Sequence, residues 1–281
     1  MKLDRPEVRV LASTVEKAVL GSVDLVARKY QSLHRVASEA TFVCPAVVGV
    51  DRTKNVVILE RVQGIVSVRD AYRLVMKGKK PIDDGVAVFQ AAGAALARIH
   101  EELKSGVSQE WQPSSAFKDA TRRYGCEWPE RNLENDVVEL HGDFGFANVL
   151  MLQDYRGPPI IVIIDPCADG YSTIHDWCSG PRYVDIGKML LSLEGKVPLR
   201  CHLAIDSEKV KVLQIAFIRG YEEIYGKELD LDLCFAAAFA LGCLYFEARF
   251  SFLGRIAQGA IYNRLWRYNK PLRAKVDGMR R

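Results

Sequence analysis

The chain has 281 residues, is 49% hydrophobic and 26% charged, and carries a formal net charge of +4. That length and apolar content can bury one large core or two modest ones, which excludes a chain disordered throughout. The charge is too small for the whole surface to act as a polyphosphate-binding field, so nucleic acid is not an expected partner.

Short runs rich in β-branched residues open the chain: VRVLA (8–12), KAVL (17–20), DLVARKY (24–30) and VVILERV (56–62). Their composition predicts strands. A helix is expected from about Ser32 to Phe42, ended by Cys44-Pro45, because the residue before a proline resists the helical region. Residues 1–63 thus read as an antiparallel sheet with one helix, and Gly64 as the point where the chain turns into a second lobe, 64–281. Beyond it, VAVFQAAGAALARIHEEL (86–103) repeats apolar residues at helical steps. A strand pair follows at 148–152 and 160–164, joined through the turn formers of DYRGPP (154–159). Helices are expected at 209–225 and 231–253. The apolar run from Phe235 to Phe246 is too short to span a bilayer, so no membrane span is expected.

The N-terminal MKLDRPEVRV lacks an apolar export segment, and none of the seven cysteines forms a C-x-x-C pair. The expectation is a reducing, cytoplasmic location with structural or incidental thiols. Basic residues gather from Arg264 to the end, against Asp277 alone, and read as a solvated tail.

Chemistry concentrates in LHGDFGFANVLM (140–151) and IIVIID (160–165). Asp143 and Asn148 lie on a short loop entering a strand, and Asp165 closes the partner strand, where a hairpin would bring it beside Asn148. Phosphoryl transfer from ATP needs magnesium held by oxygen ligands and a carboxylate near the acceptor hydroxyl. These three side chains supply that set.

The same residues carry a resemblance to the aminoglycoside phosphotransferase and choline kinase family, a branch of the protein-kinase-like fold. His141, Gly142, Asp143 and Asn148 match its H-G-D-x-x-x-x-N loop, IIDP matches its I-D-x motif, GAALARIH (93–100) its L-A-x-[IL]-H helix, and VDIGKMLLSL its D-[IL]-x-x-x-L helix. The resemblance implies an α+β, two-lobed protein-kinase-like fold, with a small β-rich N-lobe and a larger, mainly helical C-lobe. It implies Asp143 as catalytic base, Asn148 and Asp165 as magnesium ligands, His141 as a brace for the loop, and Asp185 as a structural anchor. In DLVARKY, strand alternation puts Ala27 and Lys29 on one face, fitting a V-A-x-K strand with Lys29 on the ATP phosphates and Ala27 near adenine. Glu39 is then the partner of Lys29. Glu60 and Val62 fall in the linker that would pair with adenine. No G-x-G-x-x-G loop is present, and Ser13 and Thr14 stand at the first turn in its place.

The function so implied is ATP-dependent phosphorylation of a small-molecule hydroxyl. Two alternatives stay open: a pseudokinase or nucleotide-binding scaffold, and a small atypical protein kinase, although no A-P-E segment follows Asp165. The sequence names no acceptor; Asp169, Asp176, Glu194, Glu222, Glu223 and Glu247 are acidic candidates for an aminoglycoside pocket. Oligomeric state is not readable.

Overall fold

The structure is a computed structural model that describes residues 8–19, 21–38, 42–103, 136–153, 157–166, 179–195 and 206–247. Glu39, residues 154–156 of the DYRGPP turn, residues 167–178 with Asp169 and Asp176, and the basic tail lie outside the described residues.

Four strands, β1 (Val8–Val10), β2 (Thr14–Ala18), β4 (Val47–Asp51) and β5 (Val56–Glu60), form an antiparallel sheet in the order β1-β2-β5-β4. Alternation in β5 buries Val57 and Leu59, and the helix α1 (Val23–Ser38) packs against β4 and β5.

That helix corrects the reading of DLVARKY as a strand. Val23, Val26, Ala27, Tyr30, Leu33, Val36 and Ala37 are all buried, a three- and four-residue rhythm that runs without a break through the stretch expected to be extended. Ser22 starts it: its Oγ accepts the Leu25 N–H at 3.3 Å, as helix-capping serines do. Its valines suggested a strand, but packing of the whole stripe outweighs the small β preference of single residues. Phe42, the expected helix end, instead enters the two-residue strand β3 (Phe42–Val43).

A second sheet joins early and late parts of the chain. β3, β9 (Ile161–Ile163), β8 (Val149–Leu152) and β6 (Ile65–Ser67) lie in the order β3-β9-β8-β6. β3 runs parallel to β9, and the other pairings are antiparallel. All three residues of β9 are buried, the mark of a strand covered on both faces. Gly64 supplies the turn into β6 with φ +66, a conformation that costs glycine little.

Among the described residues the helices that follow are α2 (Val68–Met76), α3 (Ile82–Glu102), α4 (Tyr183–Gly195), α5 (Ser207–Tyr225) and α6 (Leu231–Glu247). α3 and α5 pack closely because both present glycine at the crossing: a Cβ on Gly93 would strike the Phe217 carbonyl, and one on Gly220 the Gln90 carbonyl. Asp206 caps α5, accepting the Glu208 and Lys209 N–H groups, and Gly226 ends it with φ +72. β7 (Val137–Glu139) and β10 (Ser179–Pro181) pair between α3 and α4 in the chain. No described helix is long and apolar enough to cross a membrane. Cys44 is a buried free thiol, and burial pushes it up to about 12.

Candidate active site

The loop from His141 to Asn148 connects β7 to β8, and its conformation is fixed by what it buries. Phe144 and Phe146 are buried. The Phe144 ring meets His141 edge-on, and Phe146 lies against Tyr72 and Phe89. Ser67 Oγ donates to the Phe146 carbonyl at 3.0 Å. Two apolar anchors therefore sink the loop into the core, while Asp143, just before them, keeps its side chain 24% exposed.

Asp185, in the first turn of α4, holds the start of the loop. Its carboxylate accepts the His141 N–H at 2.6 Å and the Gly142 N–H at 2.9 Å. His141 carries the bracing on to β9. The Asp143 N–H donates to His141 Nδ1 at 3.3 Å, so Nε2 bears the hydrogen and donates to the Ile164 carbonyl at 3.0 Å. The imidazole is neutral and structural.

Behind Asp185 lies a buried polar relay. Arg182 Nη1 donates to the Tyr221 oxygen at 2.9 Å, the Tyr221 O–H donates to His100 Nδ1 at 2.8 Å, and His100 Nε2 donates to Asp185 at 3.2 Å. Arg182 is held in addition by Glu101 and Asp136. Burial pushes His100 and His141 below the ordinary 6.5, outweighing their acidic neighbours. Burial also opposes the charge of Asp185, but the His100 hydrogen bond, the neighbouring histidines and the His141 amide keep its carboxyl below the usual range. We assign this coupled pair as a carboxylate facing a neutral imidazole, since two amide donors already serve the carboxylate. The pH consequence has a definite sign. Unfolding frees both histidines to take up protons below about 6.5, so the stability they contribute is present above that value and is lost as pH falls. Thermal melts should be flat above about pH 7 and decline toward about pH 5, less steeply in His100→Gln. A melting temperature that rises on acidification would contradict the assignment.

The catalytic candidates meet at the loop's far end. Asn148 Nδ2 donates to both the backbone carbonyl and Oδ2 of Asp143, each at 2.9 Å. The Ile164 N–H donates to the Asn148 carbonyl at 3.0 Å, which sets Asp165 beside Asn148. Asp165 has φ +55, a strained value for a residue with a side chain. Tyr30 of α1 holds it there: the Asp165 N–H donates to the Tyr30 oxygen at 2.8 Å, and the Tyr30 O–H donates to Asp165 Oδ1 at 2.9 Å. Lys17 of β2 reaches the same oxygen at 2.9 Å. Among the described residues no three His, Cys, Asp or Glu cluster as a metal cage.

No protein-family model and no curated protein sequence matches the chain. Solved structures do. A glucosamine kinase superposes with a TM-score of 0.58 at 13% identity, over 92% of this chain and 72% of that one. An aminoglycoside phosphotransferase from Streptomyces rimosus, in complex with ADP and streptomycin, gives a TM-score of 0.50 at 14% identity, over 83% of this chain and 86% of that one. The chain has a two-lobed, protein-kinase-like α+β fold.

Within this kinase-like frame the expected nucleotide residues divide. Ser13, Thr14 and Glu60 come together at one end of the first sheet, with Val62 two residues past Glu60: Thr14 pairs with Glu60, and the Arg61 N–H donates to the Ser13 carbonyl at 3.0 Å. Ala27 and Lys29 do not belong to a sheet face. Ala27 is packed in the core. Lys29 forms a 2.7 Å ion pair with Glu139 of β7, its side chain 4% exposed, and so ties α1 to the strand that enters the His141–Asn148 loop. The helix expected to carry Glu39 starts earlier and ends at Ser38, and Glu39 itself lies outside the described residues. Lys17 takes the position beside Asp165. Its signal was in the sequence, since TVEKA (14–18) alternates Val15 and Lys17 on one face of a true strand. Tyr30 and Lys188, which reaches Asp143 from α4, had no local signal.

Proposed function

We propose that this chain is a magnesium- and ATP-dependent phosphotransferase that phosphorylates a hydroxyl of a small molecule, with residues 1–63 as nucleotide lobe and 64–281 as acceptor lobe. The observation that supports it most is the convergence of Asp143, Asn148, Asp165 and Lys17 on one locus. Asp143 accepts the proton of the acceptor hydroxyl, whose oxygen forms a bond to the γ-phosphorus as the bond to the β-phosphate oxygen breaks and ADP leaves. Asn148 and Asp165 offer hard oxygen donors. This set suits magnesium, which takes one or two protein carboxylates and completes its shell with phosphate and water. When bound there, the ion would neutralise phosphate charge. Lys17, rather than Lys29, is the amine for the phosphates, and Glu60 and Val62 are the residues proposed to pair with adenine.

The structural neighbours bear the names of a glucosamine kinase and an aminoglycoside phosphotransferase, so amino sugars and aminoglycosides come first among candidates. The test is ADP release from magnesium-ATP with glucosamine, streptomycin and choline as separate acceptors. Acceptor-dependent release supports the proposal; saturable ATP binding with no release on any of them would favour the nucleotide-binding scaffold. Asp165→Ala has its own expected result. ATP at about 100 times its dissociation constant should stabilise the parent by roughly 2.7 kcal/mol, and the variant should lose the part of that gain which depends on magnesium. Equal stabilisation with and without magnesium in the parent would contradict the ligand assignment.

A further inference from the structure

Both hydrogen bonds of the Tyr30 hydroxyl go to one residue. It accepts the Asp165 N–H at 2.8 Å and donates to Asp165 Oδ1 at 2.9 Å, so backbone and carboxylate are closed into one ring through a single oxygen. The tyrosine is fully buried in the apolar stripe of α1, where an unpaired hydroxyl would be costly. A phenylalanine would complete that stripe as well. Asp165, not packing, therefore accounts for the hydroxyl.

The residue it grips needs a hold. Ile164 is fixed on both sides, its carbonyl by His141 and its N–H by the Asn148 carbonyl, and the chain then turns to φ +55 at Asp165, a conformation that side-chain-bearing residues adopt at a cost. Lys17 meets the same Oδ1 as Tyr30. Among the described residues Oδ2 has no hydrogen bond or ion pair, and the Asp165 side chain is 40% exposed. One oxygen is thus tied down and the other left for a ligand. The helix that carries the hydroxyl is itself anchored. Lys29, the preceding residue, pairs with Glu139, and β3, which follows α1, runs parallel to β9, the strand that leads to Asp165.

We propose that Tyr30 is the positioning residue for Asp165, its hydroxyl fixing the backbone turn and presenting the carboxylate to a magnesium ion that arrives with the nucleotide. This rests on the reading of Asp165 as a magnesium ligand. Partners that orient a ligating carboxylate change metal affinity by about 10–100-fold when they are removed, because the ligand must then be ordered at the moment of binding. Tyr30→Phe removes the hydroxyl and keeps the ring.

Two measurements test it. The first needs no metal: hydrogen exchange at the Asp165 amide, followed by NMR of nitrogen-15 aspartate and assigned by loss of the signal in Asp165→Asn. Exchange should be at least about tenfold faster in Tyr30→Phe than in the parent. The second titrates the free-manganese EPR signal with protein and the β,γ-imido analogue of ATP. Tyr30→Phe should hold manganese about 10–100-fold more weakly, while its affinity for the analogue without metal stays at the parent value. A tyrosine that served stability alone would lower the melting temperature and leave manganese affinity untouched. Equal manganese affinity in the parent and Tyr30→Phe, or equal amide exchange, overturns the proposal. If the variant does not fold, the parent amide decides, since exchange at the rate of an unprotected peptide overturns it too. A parent that takes up no manganese with the analogue overturns the ligand reading and this proposal with it, and a protected amide then marks Tyr30 as a structural tie.

Discussion

Asp143→Asn will leave the protein folded and able to bind magnesium-ATP while cutting ADP formation by about 10²–10⁴-fold, the range for loss of a positioned acid–base group. The amide fills the same volume and can still meet Asn148, whose Nδ2 lies 2.9 Å from Oδ2 in the parent, so the loop should keep its course. What it cannot do is accept the acceptor's proton. The ATP-induced rise in melting temperature separates a lost base from a collapsed loop: it should be retained. Turnover within about tenfold of the parent would mean that Asp143 is not the base.

Asp185→Ala should have the largest effect on stability. The carboxylate is fully buried and accepts from the His141 and Gly142 amides and from His100. Its removal leaves three donors without water or partner in the interior. Breaking such a buried arrangement costs about 3–5 kcal/mol, which lowers the melting temperature of a chain this size by roughly 10 °C. Asp185→Asn should cost less, because its amide oxygen still accepts from one of the two backbone donors. A melting temperature for Asp185→Ala within about 2 °C of the parent would show that the loop is anchored elsewhere.

The site was legible in the sequence where its chemistry is local. Asp143 and Asn148 share one loop, and the hairpin of β8 and β9 was readable from two apolar runs and a turn, so Asp165 could be set next to Asn148 before any coordinates. His100 and Asp185 were visible as motif positions; the hydrogen bond that joins them across α3 and α4 was not. In the first lobe the strand β4 was not anticipated and DLVARKY was misread. DLVARKY is rich in residues that suit strands, and the helical rhythm emerges only when Val23 to Ala37 is taken as a whole with Ser22 as its cap. From that strand reading Lys29 was expected on the phosphates, whereas the function proposed above gives that place to Lys17. Tyr30, Lys188 and the pair Lys29–Glu139 had no sequence signal, because each acts across elements far apart in the chain. β3, two residues long and paired parallel to β9, is too short for any periodicity to reveal.

The central claim is that Asn148 and Asp165 hold the metal of a nucleotide whose γ-phosphate faces Asp143. A crystal structure with manganese and a non-hydrolysable ATP analogue tests it most directly, because manganese is located by its own anomalous signal. The expected result is an anomalous peak beside Asn148 and Asp165, with the nucleotide's phosphates next to Lys17. Manganese bound away from both side chains, or a nucleotide seated elsewhere than between Lys17 and Asp165, would contradict it.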